Sequence, residues 1–131
     1  MPRPMILACQ LSDARLAKLR FLCMKQGLLL KAIPVEDFAQ PVGALCGLMN
    51  RVESPEPAAP FDGEMIVFCH MDNAAVHRFL QVARQQRIPP FALKAMLTPT
   101  NAAWNLSGLY EELRQEHEAV SRGEAAHDQS E

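Results

Sequence analysis

The residues of this chain best suited to covalent or redox chemistry are its four cysteines, Cys9, Cys23, Cys46 and Cys69, and the His70 that follows the last of them. A neighbouring imidazolium lowers the pKa of a thiol, so Cys69 beside His70 could supply a nucleophilic or redox-active thiolate. The cysteines lie far apart, no CxxC pair occurs and no secretion signal precedes them, so they are expected to be reduced and largely buried. Cys9, Cys69 and His70 form the one set that could converge on a metal. They lack any local ligand spacing, so neither a metal nor a cofactor is expected. There is no GxGxxG, no P-loop and no GxSxG, which removes the motif-based nucleotide and hydrolase readings. Glu111, Glu112, Glu116 and Glu118 read as a solvated helix face rather than an acid–base pair.

A second constellation is polar. The run Lys94–Leu109, KAMLTPTNAAWNLSGL, joins an apolar strand, a proline turn, the single tryptophan and an amphipathic helix. Proline at Pro99 removes a ladder donor, and Thr and Asn side chains there can satisfy backbone groups. Asn105 then reads as a helix N-cap, with Leu106, Leu109, Tyr110, Leu113 and His117 at helical spacing. Trp104 before the cap and Leu109 after it have the spacing of a hydrophobic staple, which predicts a largely buried indole. If a site exists, Thr98, Thr100, Asn101 and Trp104, with Gln10 and His70 at other strand ends, are its candidates for binding a ligand or partner.

The remaining elements follow from periodicity. Met5–Cys9 is an apolar strand, and Ser12 caps a helix that Gly27 ends, with Leu16, Leu19, Leu22 and Cys23 inward and Phe21 and Met24 widening that stripe. A strand over residues 28–35 carries Lys31, as an edge strand would. Val42, Leu45, Cys46 and Met49 after Pro41 suggest a weak helix containing Gly43 and Gly47. Met65–Cys69 is apolar again. Asp72 caps a helix with Ala75, Val76, Phe79, Val82 and Ala83 inward, and Pro89-Pro90 separates it from a strand over residues 91–97.

Sliding the sequence by 60 residues lays Met5, Ile6 and Cys9 on Met65, Ile66 and Cys69, and Ser12 on Asp72. After the extra residues at Pro89-Pro90 the offset becomes 63, laying Leu30-Lys31-Ala32 on Leu93-Lys94-Ala95. The chain is therefore a tandem βαβα duplication. Residues 5–50 and 65–121 are the repeats of a single domain spanning 1–121, and a proline-rich loop over 51–64 joins them. Two four-stranded sheets accommodate it. One is parallel, in the order 2-1-3-4, with the first and fourth helices on one face and the second and third on the other. The other is a ferredoxin-like α+β sheet, antiparallel in the order 4-1-3-2, with its two main helices on one face. Strands apolar at every position favour the parallel form. That form would place Cys9 beside Cys69 on neighbouring strands, close enough for mild oxidation to link them.

The formal net charge of −2 divides unevenly, because residues from Glu111 onward carry seven acidic groups and two arginines, leaving about +3 on residues 1–110. The tail over 122–131 has nothing to bury and is expected to be disordered and acidic. Arg15, Lys18, Arg78 and Arg84 could support weak RNA contact, but no basic cluster interleaved with aromatics occurs, so nucleic acid is not the expected partner. No apolar run is long enough to span a membrane, which gives a soluble, cytoplasmic protein as the expectation.

The run LKAMLTPTNAAWNLSGLYEELRQEH resembles the bacterial and archaeal family called domain of unknown function 3783, with the match extending from about Met65 to His117. Members share a similar apolar strand, proline-containing turn, Asn and Trp, and amphipathic helix; Gly108 departs from the pattern, where a helix former is usual. The resemblance implies a fold and no activity, substrate or cofactor. Composition and motifs together point to a ligand- or partner-binding module, with a thiol-dependent enzyme using Cys9, Cys69 and His70 as the alternative.

Overall fold

A computed structural model describes residues 3–53, 55, 61 and 63–121 of the chain. The expected tail over 122–131 and much of the proline-rich loop lie outside the described residues. The four strands are β1 (Met5–Cys9), β2 (Leu29–Ala32), β3 (Met65–Cys69) and β4 (Leu93–Met96), and the helices are α1 (Asp13–Gln26), α2 (Val42–Leu45), α3 (Asn73–Gln85) and α4 (Leu106–Ser121).

Caps and stops are those the residue types dictate. The Ser12 and Asp72 side chains accept from the amides of Arg15 and Ala75, satisfying donors in the first turns of α1 and α3. Gly27 closes α1 with φ 73°, and its counterpart Arg87 reaches φ 62° after α3. The expected weak helix shrinks to the single turn of α2, ended by Gly47 at φ 90°.

The strands form one sheet in the order β2-β1-β3-β4, as expected, but the sheet is mixed rather than purely parallel. β1 pairs parallel with β2 and β3 parallel with β4, while the central β1–β3 pair is antiparallel. The all-apolar strands were a sound sign of coverage on both faces, and nearly every residue of β1 and β3 is buried. Such burial does not depend on strand direction, so it could not choose between the alternatives.

Reversing β3 also changes the helix layers. Each βαβ unit crosses over with the same hand, and the two units run in opposite directions toward opposite edges, so α1 and α3 share one face. There Leu19, Leu22, Cys23, Phe79 and Ala83 pack on Ile6, Ala8, Ile66 and Phe68. α2 and α4, with the segment around Phe38, cover the other face over Leu7, Cys9, Val67 and Cys69. The pairing of helices expected for a parallel sheet is thereby replaced. The grouping of the two main helices is that of the ferredoxin-like alternative.

The repeat holds with one adjustment. Met5 pairs with Leu29 and Met65 with Leu93, so the second strands are related by 64 residues, not 63. Lys31 is therefore the counterpart of Ala95, and the matching Leu-Lys-Ala letters are out of step by one residue. A one-residue shift sends side chains to opposite faces. Lys31 Nζ donates to the Leu45 carbonyl on the α2 side at 3.1 Å, whereas Lys94 stands opposite Ile66, whose side chain joins the α1/α3 layer.

Candidate functional site

The antiparallel central pair separates residues that the parallel sheet would have gathered. Cys9 pairs with Met65 and Cys69 with Met5, so the two thiols lie at opposite ends of the strands. This corrects the expected Cys9–Cys69 neighbourhood: no shared-edge thiol site contains both, and Cys9 does not join His70.

One end of the sheet gathers Cys69, His70 and the Thr98–Trp104 turn. The other holds Cys9 and Gln10. Gln10 and His70 are repeat counterparts, each just past its strand with φ 64° and 61°, and each side chain reaches a backbone carbonyl, Gln10 in the loop joining the repeats and His70 at the end of α2 in the first repeat. Gln10 Nε2 donates to Phe61 O, and His70 Nε2 lies 3.1 Å from Cys46 O, the geometry of a ring N–H donating to it. The two residues thus hold the chain on either side of the proline-rich loop and within it.

In the polar turn, Asn101 is buried and engaged on both sides of its amide. Its Oδ1 accepts from the Thr98 amide at 2.8 Å, its Nδ2 donates to Met96 O at 3.0 Å, and its own backbone N–H donates to Thr98 Oγ1 at 3.0 Å. These groups build an Asx-type turn. Thr100 is exposed beside it. Trp104, expected to be buried against Leu109, is 37 % exposed. What anchors this position is the backbone: Trp104 O accepts from the Val42 amide at 2.8 Å, while the Asn105 side chain caps α4 through the Gly108 amide at 2.7 Å. The staple spacing located the cap correctly and misjudged the ring.

Cys46, one of the four cysteines but not grouped with Cys69 and His70 in the sequence, lies on the same side of the sheet as they do. Cys46 follows α2 and its side chain lies in the core layer that also holds Cys69; Cys46 Sγ lies 3.5 Å from Gly43 O and Cys69 Sγ 3.9 Å from Val67 O. The Cys69 hydrogen bond and the His70 charge outweigh burial and lower the Cys46 thiol to about 6, while the same bond and burial push Cys69 up. Burial alone raises Cys9 to about 12, and it raises Cys23 to about the same value against the opposing charge of Arg20. Nothing in local spacing groups Cys46 with His70, since the contact forms only when the two repeats come together. Among the described residues no group of three or more His, Cys, Asp or Glu could hold a metal ion.

On the opposite face, α1 and α3 leave a cleft of about 390 Å³. Phe21, Leu22, Val82 and Ile88 wall it, Lys18 and Lys25 line it with Gln26 and Gln86, and among the described residues no carboxylate does. Phe21 and Met24, expected to widen the buried stripe, are 56 % and 68 % exposed. The sheet surface beneath α1 is filled by Leu19, Leu22 and Cys23, so these two residues overhang it. Lys25 Nζ sits 5.4 Å from the Phe21 ring centroid. Of the residues considered for RNA, Lys18 lines this cleft, while Arg15 is committed elsewhere. Its guanidinium forms a two-point pair with Glu64 at 2.8 and 3.0 Å, donates to the carbonyls of Pro89 and Pro90, and stacks over Phe91.

Residues 64–120 match the family model of the domain of unknown function DUF3783, a span that holds the second repeat and carries the strand, turn and helix of the resemblance. No curated protein and no solved structure matches the chain. Among the described residues no helix is long and apolar enough to cross a membrane.

Proposed function

We propose that the chain is a binding module whose site is the α1/α3 cleft, and that it takes an anionic amphiphile: an apolar body with a carboxylate or phosphate head. The observation that supports this reading is the composition of the cleft, an apolar wall with Lys18 and Lys25 as its charged lining and, among the described residues, no acidic group. Its volume falls in the range of small-molecule sites, which are mostly apolar with a few polar groups to fix orientation. The wall would take the apolar body, and the two ammonium groups would hold the head at the rim, where partial desolvation strengthens their attraction.

Decanoate and decanol, equal in chain length and different in charge, test this by calorimetric titration. Saturable decanoate binding well below its micelle range, weaker binding of decanol, and loss of the difference in a Lys18→Gln/Lys25→Gln variant are the expected results. Equal binding of the two probes, or no saturable binding of either, would remove the reading.

A further inference from the structure

The outer strands β2 and β4 are repeat counterparts, yet their free edges differ. Leu29 N donates to Pro4 O at 3.0 Å and Ile33 N to Ala8 O at 2.9 Å, so this alternate set of β2 residues turns its backbone groups toward β1. Leu30 and Ala32, in the intervening positions, point their N–H and C=O groups away from the sheet. Among the described residues nothing bonds them.

The same position of β4 is closed. Met96, the counterpart of Ala32, has a carbonyl that accepts from Asn101 Nδ2 at 3.0 Å. The 64-residue offset relating these strands puts Asp37 where Asn101 stands. A carboxylate has no proton to donate, and Asp37 is paired with Arg51 at 2.6 Å. Lys31, the charge that would guard such an edge, has its Nζ bonded to Leu45 O.

Beside the open edge, between β2 and α1, lies a groove of about 260 Å³. Met24, Leu28 and Leu30 give it apolar surface, Arg3 and Arg20 are its charged lining, and among the described residues no carboxylate lines it. It shares no lining residue with the α1/α3 cleft.

We propose that the β2 edge and this groove dock an extended acidic segment of a partner protein, which adds a strand beside β2 and sets carboxylates against Arg3 and Arg20. Main-chain bonds to Leu30 and Ala32 fix the register, as in other strand-addition complexes. Alternate side chains of the added strand then lie along the groove on the α1 side. The charge of the groove selects this occupant. A second copy pairing β2 with β2 about a two-fold perpendicular to the sheet would bring two sets of Arg3 and Arg20 together, a like-charge contact that disfavours it.

The test uses the full chain and two short soluble peptides, one alternating Glu with Val and one alternating Lys with Val, with amide exchange read residue by residue. Expected are saturable binding of the Glu peptide, slowed exchange at the Leu30 and Ala32 amides, and several-fold weaker binding of the Lys peptide. Ala32→Pro deletes an outward donor and leaves the β1 ladder intact, so it should abolish the binding. Arg20→Gln, a change to an exposed side chain, should weaken it several-fold, and this variant decides the matter if the proline variant fails to fold. Absence of saturable binding, equal binding of the two peptides, or protection that falls elsewhere than β2 would overturn the proposal. So would Leu30 and Ala32 amides already protected without peptide, in a way that depends on protein concentration or vanishes when the chain is trimmed after Ser121, since the occupant would then be a second copy or the chain's own tail.

Discussion

Leu7 and Val67 stand directly opposite each other at the centre of the antiparallel pair, and each is the other's counterpart in the repeat. Pro41 and Asn105 do the same on the α2/α4 side, where an isolated antiparallel bridge joins the residue before α2 to the one before α4. An approximate two-fold axis therefore runs through both pairs, perpendicular to the sheet.

The register around that axis makes a cross-link prediction. Cys9 faces Met65, and directly opposed residues on neighbouring antiparallel strands have β-carbons about 4.5–5.5 Å apart. Met65→Cys should therefore form a disulfide with Cys9 under mild oxidation, and peptide mapping should find this link and no link between Cys9 and Cys69. A Cys9–Cys69 link in the folded wild type would mean that the central strands run parallel.

Asn101 belongs to the framework of its turn. Asn101→Ala removes the acceptor for the Thr98 amide and the donor to Met96 O. Leaving those groups unpaired should cost about 1–3 kcal/mol. Urea unfolding measures this, and an unchanged midpoint would return Asn101 to the list of ligand-binding candidates.

Two phenylalanines separate support from function. Phe79 is buried, and its ring meets that of Phe68 edge-on at 5.7 Å, so Phe79→Ala should cost about 3–5 kcal/mol. Phe21 overhangs the cleft in solvent, and Phe21→Ala should stay within about 0.5 kcal/mol in stability. The same Phe21 variant should bind decanoate several-fold more weakly. Thermal unfolding beside calorimetry distinguishes the two outcomes.

Stability should vary with pH in two senses. Cys46 is lowered to about 6 in the fold against an ordinary thiol value of 9.0, so between those values the unfolded chain holds the extra proton and stability rises with pH. Its contribution is fully present above 9 and is lost as pH falls through 6. Cys9 and Cys23, raised from 9.0 to about 12, act oppositely: their contribution is present below 9 and disappears as pH climbs through 12. Urea midpoints across this range should show a rise and then a fall. Cys46→Ser should flatten the rising limb.

The helices, caps and repeat were legible because each rests on local chemistry: a Ser or Asp cap, a 3.6-residue stripe, a Gly stop. Strand order was legible through the duplication and the edge lysine. Direction was not, since an apolar strand buried on both faces looks alike either way. The LKA match shows the related hazard that identical letters can sit on opposite faces. Of the site residues, Gln10 and His70 were found as polar residues at strand ends, and the structure gives each of them a backbone carbonyl to bond. Cys46 was not grouped with Cys69 and His70 because its contact with the His70 ring forms only through long-range packing. The α1/α3 cleft escaped because Phe21 and Met24 carry the periodicity of a core stripe while lying beyond the sheet's reach.

The axis through Leu7 and Val67 gives the seam between repeats the geometry of an isologous subunit contact, in which a residue meets its own equivalent. Here both partners belong to one chain. The segment between Cys46 and Met65, clasped by His70 at one end and Gln10 at the other, turns what would be a second-order encounter into an intramolecular one. A short tether of this kind holds its two ends at an effective concentration on the order of millimolar. The seam thus forms independently of protein concentration, and cutting the tether would hand its stability back to the law of mass action.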